Sequence, residues 1–158
     1  MAMGVANLIG CAPGGAGWNR CVAFIPTTIQ IIEKVGAGAM PGAVGGTIVP
    51  GTYDLTDAVV FGASSLLPSV PPETYVFAAS GTYQGASLGY AAGTGTWSAH
   101  DTTLTFTPSC SCWKARGCGR GRTYSVWYSA GPAQVVTFET YVNGGTTMRT
   151  FTRRTRED

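Results

Sequence analysis

From residue 51 onward, apolar and polar positions alternate with a period of two, the signature of half-buried β-strands. Residues 103–107 read Thr-Leu-Thr-Phe-Thr, so Leu104 and Phe106 share one face and three threonines share the other. Residues 93–99 repeat the pattern, with Trp97 opposite Thr94, Thr96 and Ser98. Residues 75–78, 124–129 and 135–142 extend the set of short strands. His100-Asp101, Ala130-Gly131-Pro132 and Asn143-Gly144-Gly145 supply turns between them. Asn143-Gly144 is the strongest turn signal, because a type I′ hairpin needs positive φ at two positions. A Gly-Thr-aromatic triplet recurs at Gly51-Thr52-Tyr53, Gly81-Thr82-Tyr83 and Gly95-Thr96-Trp97, each opening an expected strand. In each triplet the glycine relieves crowding at a bend and the aromatic plugs a barrel end. The count is about eight antiparallel strands. They either pack as a sandwich or close on themselves, and the succession of hairpins favours an all-β up-and-down barrel.

Residues 1–44 lack this periodicity. Pro13-Gly14-Gly15, Pro26 and Pro41-Gly42 interrupt any regular element. Residues 27–35 could make two helical turns, with Thr27 or Thr28 as cap and Ile29, Ile32 and Val35 along one side. Their β-branched content fits a short strand equally well. The expected organisation is an irregular N-terminal linker over 1–44 with one docking element, then a barrel domain over 45–158. Composition agrees: 44% of the residues are hydrophobic, 11% are charged and 23 are glycines, which suits tight-turned β structure and not long amphipathic helices. A net charge of +2 gives no general drive toward nucleic acid, and no specific nucleic-acid partner is expected.

Candidate chemistry is sparse. His100, the one histidine, falls in an expected hairpin turn, where a polar residue needs no further reason. Asp54 and Asp57 lie three apart on a strand and so point to opposite faces, a poor carboxylate pair. Pro13-Gly14-Gly15-Ala16-Gly17 lacks the Lys-Ser/Thr ending of a phosphate loop, and no cofactor is expected. Cys110, Cys112 and Cys118 with His100 could supply four zinc ligands. However, the spacing is not that of a common knuckle, and the neighbouring cations oppose a dication. Disulfides are the preferred reading: one of Cys110 or Cys112 pairs with Cys118, and the other reaches Cys21. The loop over residues 114–122 carries Lys114, Arg116, Arg120 and Arg122. It could meet an anionic partner, but a solvated loop that aids solubility is favoured.

Gly51-Thr52-Tyr53, Gly93-Thr94-Gly95-Thr96-Trp97, Thr103-Leu104-Thr105-Phe106 and the closing Thr150-Phe151-Thr152-Arg153 together resemble the bacterial lipocalin-like domain of small envelope proteins. Residues 45–56 are similar to the opening strand of its myxobacterial members. The resemblance implies a lipocalin-like barrel outside the cytoplasm, in the cell envelope or secreted, with no enzymatic activity. Lipocalins carry a Gly-x-Trp on the first strand with a late arginine over the ring. Tyr53 stands at the Trp position and Arg153 is the expected partner, with Arg154 on the other face. Leu8-Ile9-Gly10-Cys11 resembles a lipobox, which would make Cys11 a lipidated membrane tether; pairing of Cys11 with Cys21 is the alternative. The expected function is binding of a small apolar or amphipathic ligand in the barrel, with Tyr83, Trp97, Phe106, Tyr124 and Phe138 facing its interior. A protein-binding barrel acting through its loops, such as a protease inhibitor, is the alternative. Ligand-sized empty volume at a barrel mouth would favour the first, and a filled barrel the second.

Overall fold

The computed structural model describes residues 21–22, 24, 27–62, 70–113, 117–140 and 145–155. Among these there is no helix, and ten strands form one sheet. They are β1 (Lys34–Val35), β2 (Gly51–Phe61), β3 (Glu73–Phe77), β4 (Thr82–Ser87), β5 (Ala91–His100), β6 (Thr103–Trp113), β7 (Gly117–Gly119), β8 (Tyr124–Ala130), β9 (Gln134–Thr140) and β10 (Thr146–Arg153). Eight of them close an antiparallel up-and-down barrel in the circular order β2, β3, β4, β5, β6, β8, β9, β10 and back to β2. β7 folds back on the far end of β6, and β1 lies parallel along β2.

Short-range chemistry explains the hairpins. Between β5 and β6 a two-residue turn holds Asp101 at φ 50°, a left-handed conformation that aspartate tolerates. Pro108 cannot donate to the ladder, and it sits where the β5–β6 register slips between Thr94 and Gly95. Gly95 faces this bulge, and a Cβ there would overlap the Thr107 carbonyl oxygen. The turn expected at Asn143-Gly144 falls outside the described residues, as do Cys11, Lys114 and Arg116.

Residues 27–50 form an integral part of the barrel. Residues 27–35 are extended, not helical, which corrects the helical option, and Ile29, Ile32 and Val35 are exposed. The extended form wins because a strand edge is available. β2 pairs with β3 only over residues 51–54, so the rest of that edge needs other partners. β1 supplies them, and the Gly36 amide donates to the Val60 carbonyl at 2.8 Å. On the same side, the Val70 amide donates to the Ile31 carbonyl at 2.9 Å. The Thr27 amide donates to Thr74 Oγ1, which donates to Asp54 Oδ1.

Residues 44–50 cross one end of the barrel. Gly45 exchanges backbone hydrogen bonds with Tyr128 and Ala130, and the Tyr128 hydroxyl donates to the Gly46 carbonyl. The Tyr53 hydroxyl donates to the Val49 carbonyl at 2.6 Å, and Ile48 is buried in the main core. That core also holds Leu55, Phe77, Leu104, Phe106, Val135 and Phe151. A second small core lies outside the barrel wall, where Cys21 and Val22 cover Ala86, Ala92, Cys110 and Cys112.

Gly45 has φ 69°, and a Cβ there would overlap the Asp101 carbonyl oxygen. Gly45→Ala is therefore expected to destabilise the protein by roughly 2 kcal/mol, lowering Tm by roughly 5 °C. Gly42→Ala is the control, since a Cβ at Gly42 meets nothing within 4 Å. Equal melting temperatures for the two variants would show that the strap over residues 44–50 does not hold the barrel end.

Candidate functional site

The inward-facing residues divide the barrel into two unlike halves. Toward the strapped end they are large: Tyr53 and Leu55 on β2, Tyr75 and Phe77 on β3, Tyr83 on β4, Trp97 on β5, Leu104 and Phe106 on β6, Val135 on β9 and Phe151 on β10. This half is full. A void among Phe77, Leu104, Phe106, Val135 and Phe151 holds only about 10 Å³, no more than a water molecule needs. Toward the other end the inward residues of β4 to β6 are small: Gly85, Ser87, Ala91, Gly93 and Ser111. A cavity of about 470 Å³ opens there to solvent.

Tyr75, Tyr83 and Tyr124 line the bottom of this cavity, and Tyr90 and Trp113 stand exposed at its rim. Phe106 lies beneath, with ring centroids 4.9 Å from Tyr83 and 5.1 Å from Tyr124. One wall is charged. Arg149 Nη1 donates to both carboxylate oxygens of Glu73, at 3.0 and 3.3 Å, and lies 3.8 Å from Glu139 Oε2. Glu73 is buried and Arg149 half-buried, while Glu139 is more open to solvent. Strand register makes the trio: Arg149 stands two residues from Phe151 on the inner face of β10, and Glu139 is paired with Thr147 on the same face.

These groups perturb one another. Burial pushes the Glu73 carboxyl above its ordinary value; Arg149 pulls it back and Glu139 pushes it up further. Burial raises Tyr75 well above the usual tyrosine value, with smaller contributions from Tyr124, Glu73 and Glu139. Tyr83 is raised by burial, and Tyr124 is pushed up to about 12, again mainly by burial. The phenols therefore stay neutral in ordinary conditions and serve as hydrogen-bonding groups and π-faces.

Of the five residues expected inside, Tyr83 and Tyr124 line the cavity, Phe106 is its floor, and Trp97 lies deeper, 5.3 Å from Phe77. Phe138 does not face inward. It pairs with Trp127 and Met148 on the outer face, opposite to Thr137 and Glu139. Period two fixed the alternation but not its sense, and the face carrying Glu139 is the inner one. Glu73, Tyr75, Glu139 and Arg149 were not among the expected site residues.

At the strapped end, Arg153 is opposite Tyr53 in register, and its charge lowers the Tyr53 hydroxyl against the larger effect of burial. The Tyr53 ring packs edge-on against Phe77 at 5.7 Å. Arg154, expected to be the idle neighbour, makes a two-point ion pair with Asp54 through Nε and Nη2. His100 contacts Asp101 at 2.9 Å on the exposed β5–β6 turn, at the end of the barrel away from the cavity.

Cys112 Sγ lies within bonding distance of both Cys21 and Cys118, and a sulfur can make only one such bond at a time. The Cα–Cα separations are 6.5 Å to Cys21 and 3.9 Å to Cys118. Only the former falls in the range of about 4.4–6.8 Å that disulfides usually span. The sulfurs of Cys21, Cys110 and Cys112 lie within 4.8 Å of one another. Sulfurs this close are oxidised in pairs or, when reduced, can surround a soft metal ion. The bonding-distance contacts indicate pairing. His100, at the far end of β5, does not join them. No family model, curated protein or solved structure matches the chain.

Two outcomes follow from these charges. Arg154→Ala is expected to lower Tm by up to about 3 °C, about 1 kcal/mol for a well-aligned surface pair, and Arg153→Ala by less; the reverse order in a thermal melt would refute the Asp54 pairing. Glu73 has a raised pKa in the folded state, so below its ordinary value near 4.5 it is protonated both folded and unfolded. As pH rises above that value the unfolded chain releases the proton first, and stability falls until the folded carboxyl also ionises. Glu73→Gln lacks this term. The Tm of the wild type relative to Glu73→Gln should therefore decline as pH rises from 4.5, and a difference that stays flat or grows would reverse the assignment.

Proposed function

We propose that the protein is a non-enzymatic, lipocalin-like binder of a small amphipathic ligand, held in the half-hollow barrel mouth. The cavity of about 470 Å³ carries this reading, since it lies within the size range of small-molecule sites. Its lining supports amphipathic character: aromatic rings cover much of the surface, and one wall is polar. Closure of the opposite end by residues 44–50 makes the mouth the main route in. An extracytoplasmic location, in the envelope or secreted, belongs to the same proposal. It is supported by cysteine sulfurs at bonding distance, which an oxidising compartment would keep paired. A tether through Cys11 would hold such a binder near a membrane.

N-phenylnaphthylamine, a neutral apolar dye that brightens in dry surroundings, tests the cavity. One dye per chain is expected to bind the wild type. Ser87→Trp, which places a large ring inside the mouth, should weaken binding roughly tenfold, about 1.4 kcal/mol. Thr96→Trp, on the outer face of the wall, should leave it unchanged. Equal binding by all three proteins, each verified as folded by circular dichroism, would place the dye elsewhere and overturn the proposal.

A further inference from the structure

The cavity wall is not electrically balanced. Among the described residues it presents two carboxylates, Glu73 and Glu139, to one guanidinium, Arg149. Arg149 already donates twice to Glu73, so an incoming anion would have to break that buried pair and would then face Glu139. A neutral ligand would leave the excess charge as it is. A cation would offset it, and in a partly enclosed cavity the attraction is screened less than in water. The rings add to this preference. Tyr75, Tyr83 and Tyr124 line the same space, and Trp113 stands at its rim; aromatic rings attract ammonium groups.

Among the described basic residues of the neighbouring loop, neither Arg120 nor Arg122 lines the cavity. Arg120 lies along an outer groove with Thr107 and Ser109, not in the cavity. Burial is the main cause of the raised Glu73 carboxyl, Arg149 opposes it, and Glu139 adds a smaller push upward.

We infer that the barrel mouth selects a ligand in which a protonated amine is joined to a short apolar body, the ammonium seated against Glu139 beside the tyrosine rings. This rests on the cavity-binding reading and narrows its ligand class. Glu139 is the selecting residue, because Glu73 is committed to Arg149 while Glu139 is the more open carboxylate.

The test is calorimetric titration of the full chain at neutral pH with octylamine, octanol and octanoate, which share a tail and differ in the head. Octylamine is expected to bind roughly tenfold more tightly than octanol, about 1.4 kcal/mol, and octanoate most weakly. Glu139→Gln, verified as folded by circular dichroism, should bring octylamine close to octanol. Octanol or octanoate binding as tightly as octylamine, or a preference unchanged in Glu139→Gln, would overturn the inference and leave the cavity reading standing. Failure of all three ligands and of the dye would overturn both.

Discussion

The barrel rests on a steric bargain between aromatic rings and the glycines beside them. An eight-stranded barrel has an interior just wide enough for its own side chains, and this chain directs many rings into one half of it. Glycine stands opposite three of these rings on neighbouring strands, and at Gly85 the ring takes the place of a side chain. Gly51 is opposite Phe77, Gly85 is opposite Tyr75 and Gly95 is opposite Tyr83. A Cβ on Gly85 would stand 2.7 Å from the Tyr75 ring, so the ring occupies space that a side chain would otherwise fill. The rings then meet one another edge-on or stacked, from Tyr53 and Trp97 through Phe77 to Phe106 and Tyr124. The glycine content that suggests loose structure in a composition count is the condition for tight packing here.

The hollow half follows from the same arrangement. Once the large side chains are spent near the strapped end, β4 to β6 carry mainly small ones toward the mouth below Trp113 at the rim, and the wall does not fill the space it encloses. A charged trio can survive there because it is not fully dry. Glu139 reaches solvent, while Glu73 and Arg149 compensate each other at hydrogen-bond distance. Burying the trio completely would cost far more than the pairing returns. Partial hydration keeps the excess carboxylate available without unfolding the wall.

Much of the fold was legible in the sequence, because period two and turn chemistry are local signals. The strands expected at residues 93–99 and 103–107, which lie within β5 and β6, and the turn at His100-Asp101 follow from side-chain alternation and backbone preference alone. The site was legible only in part, since the sense of alternation depends on what the barrel encloses. On β9, Phe138 and Val136 form the more apolar face, so hydrophobicity points them inward. The enclosed space is polar at that level, and Glu139 takes the inner position. β10 carried the clue: Arg149 shares a face with Phe151, and a core phenylalanine fixes that face as internal. A buried arginine needs a carboxylate, and register alone would have led from Arg149 to Glu139. Glu73 was beyond reach, because its meeting with Arg149 depends on how β2 and β3 part.

That parting shows why the N-terminal residues count as structure although they lack strand periodicity. β2 is long and β3 is short, so closure leaves a stretch of unsatisfied edge on β2. An exposed edge would invite pairing with another chain. Residues 31–36 cover it from outside, and residues 44–50 seal the adjacent barrel end. Neither piece needs an apolar period, because backbone hydrogen bonds hold both of them. With the edge covered and one end shut, the open space of the barrel lies at the mouth, where exposed Tyr90 and Trp113 and the charged wall border the same cavity.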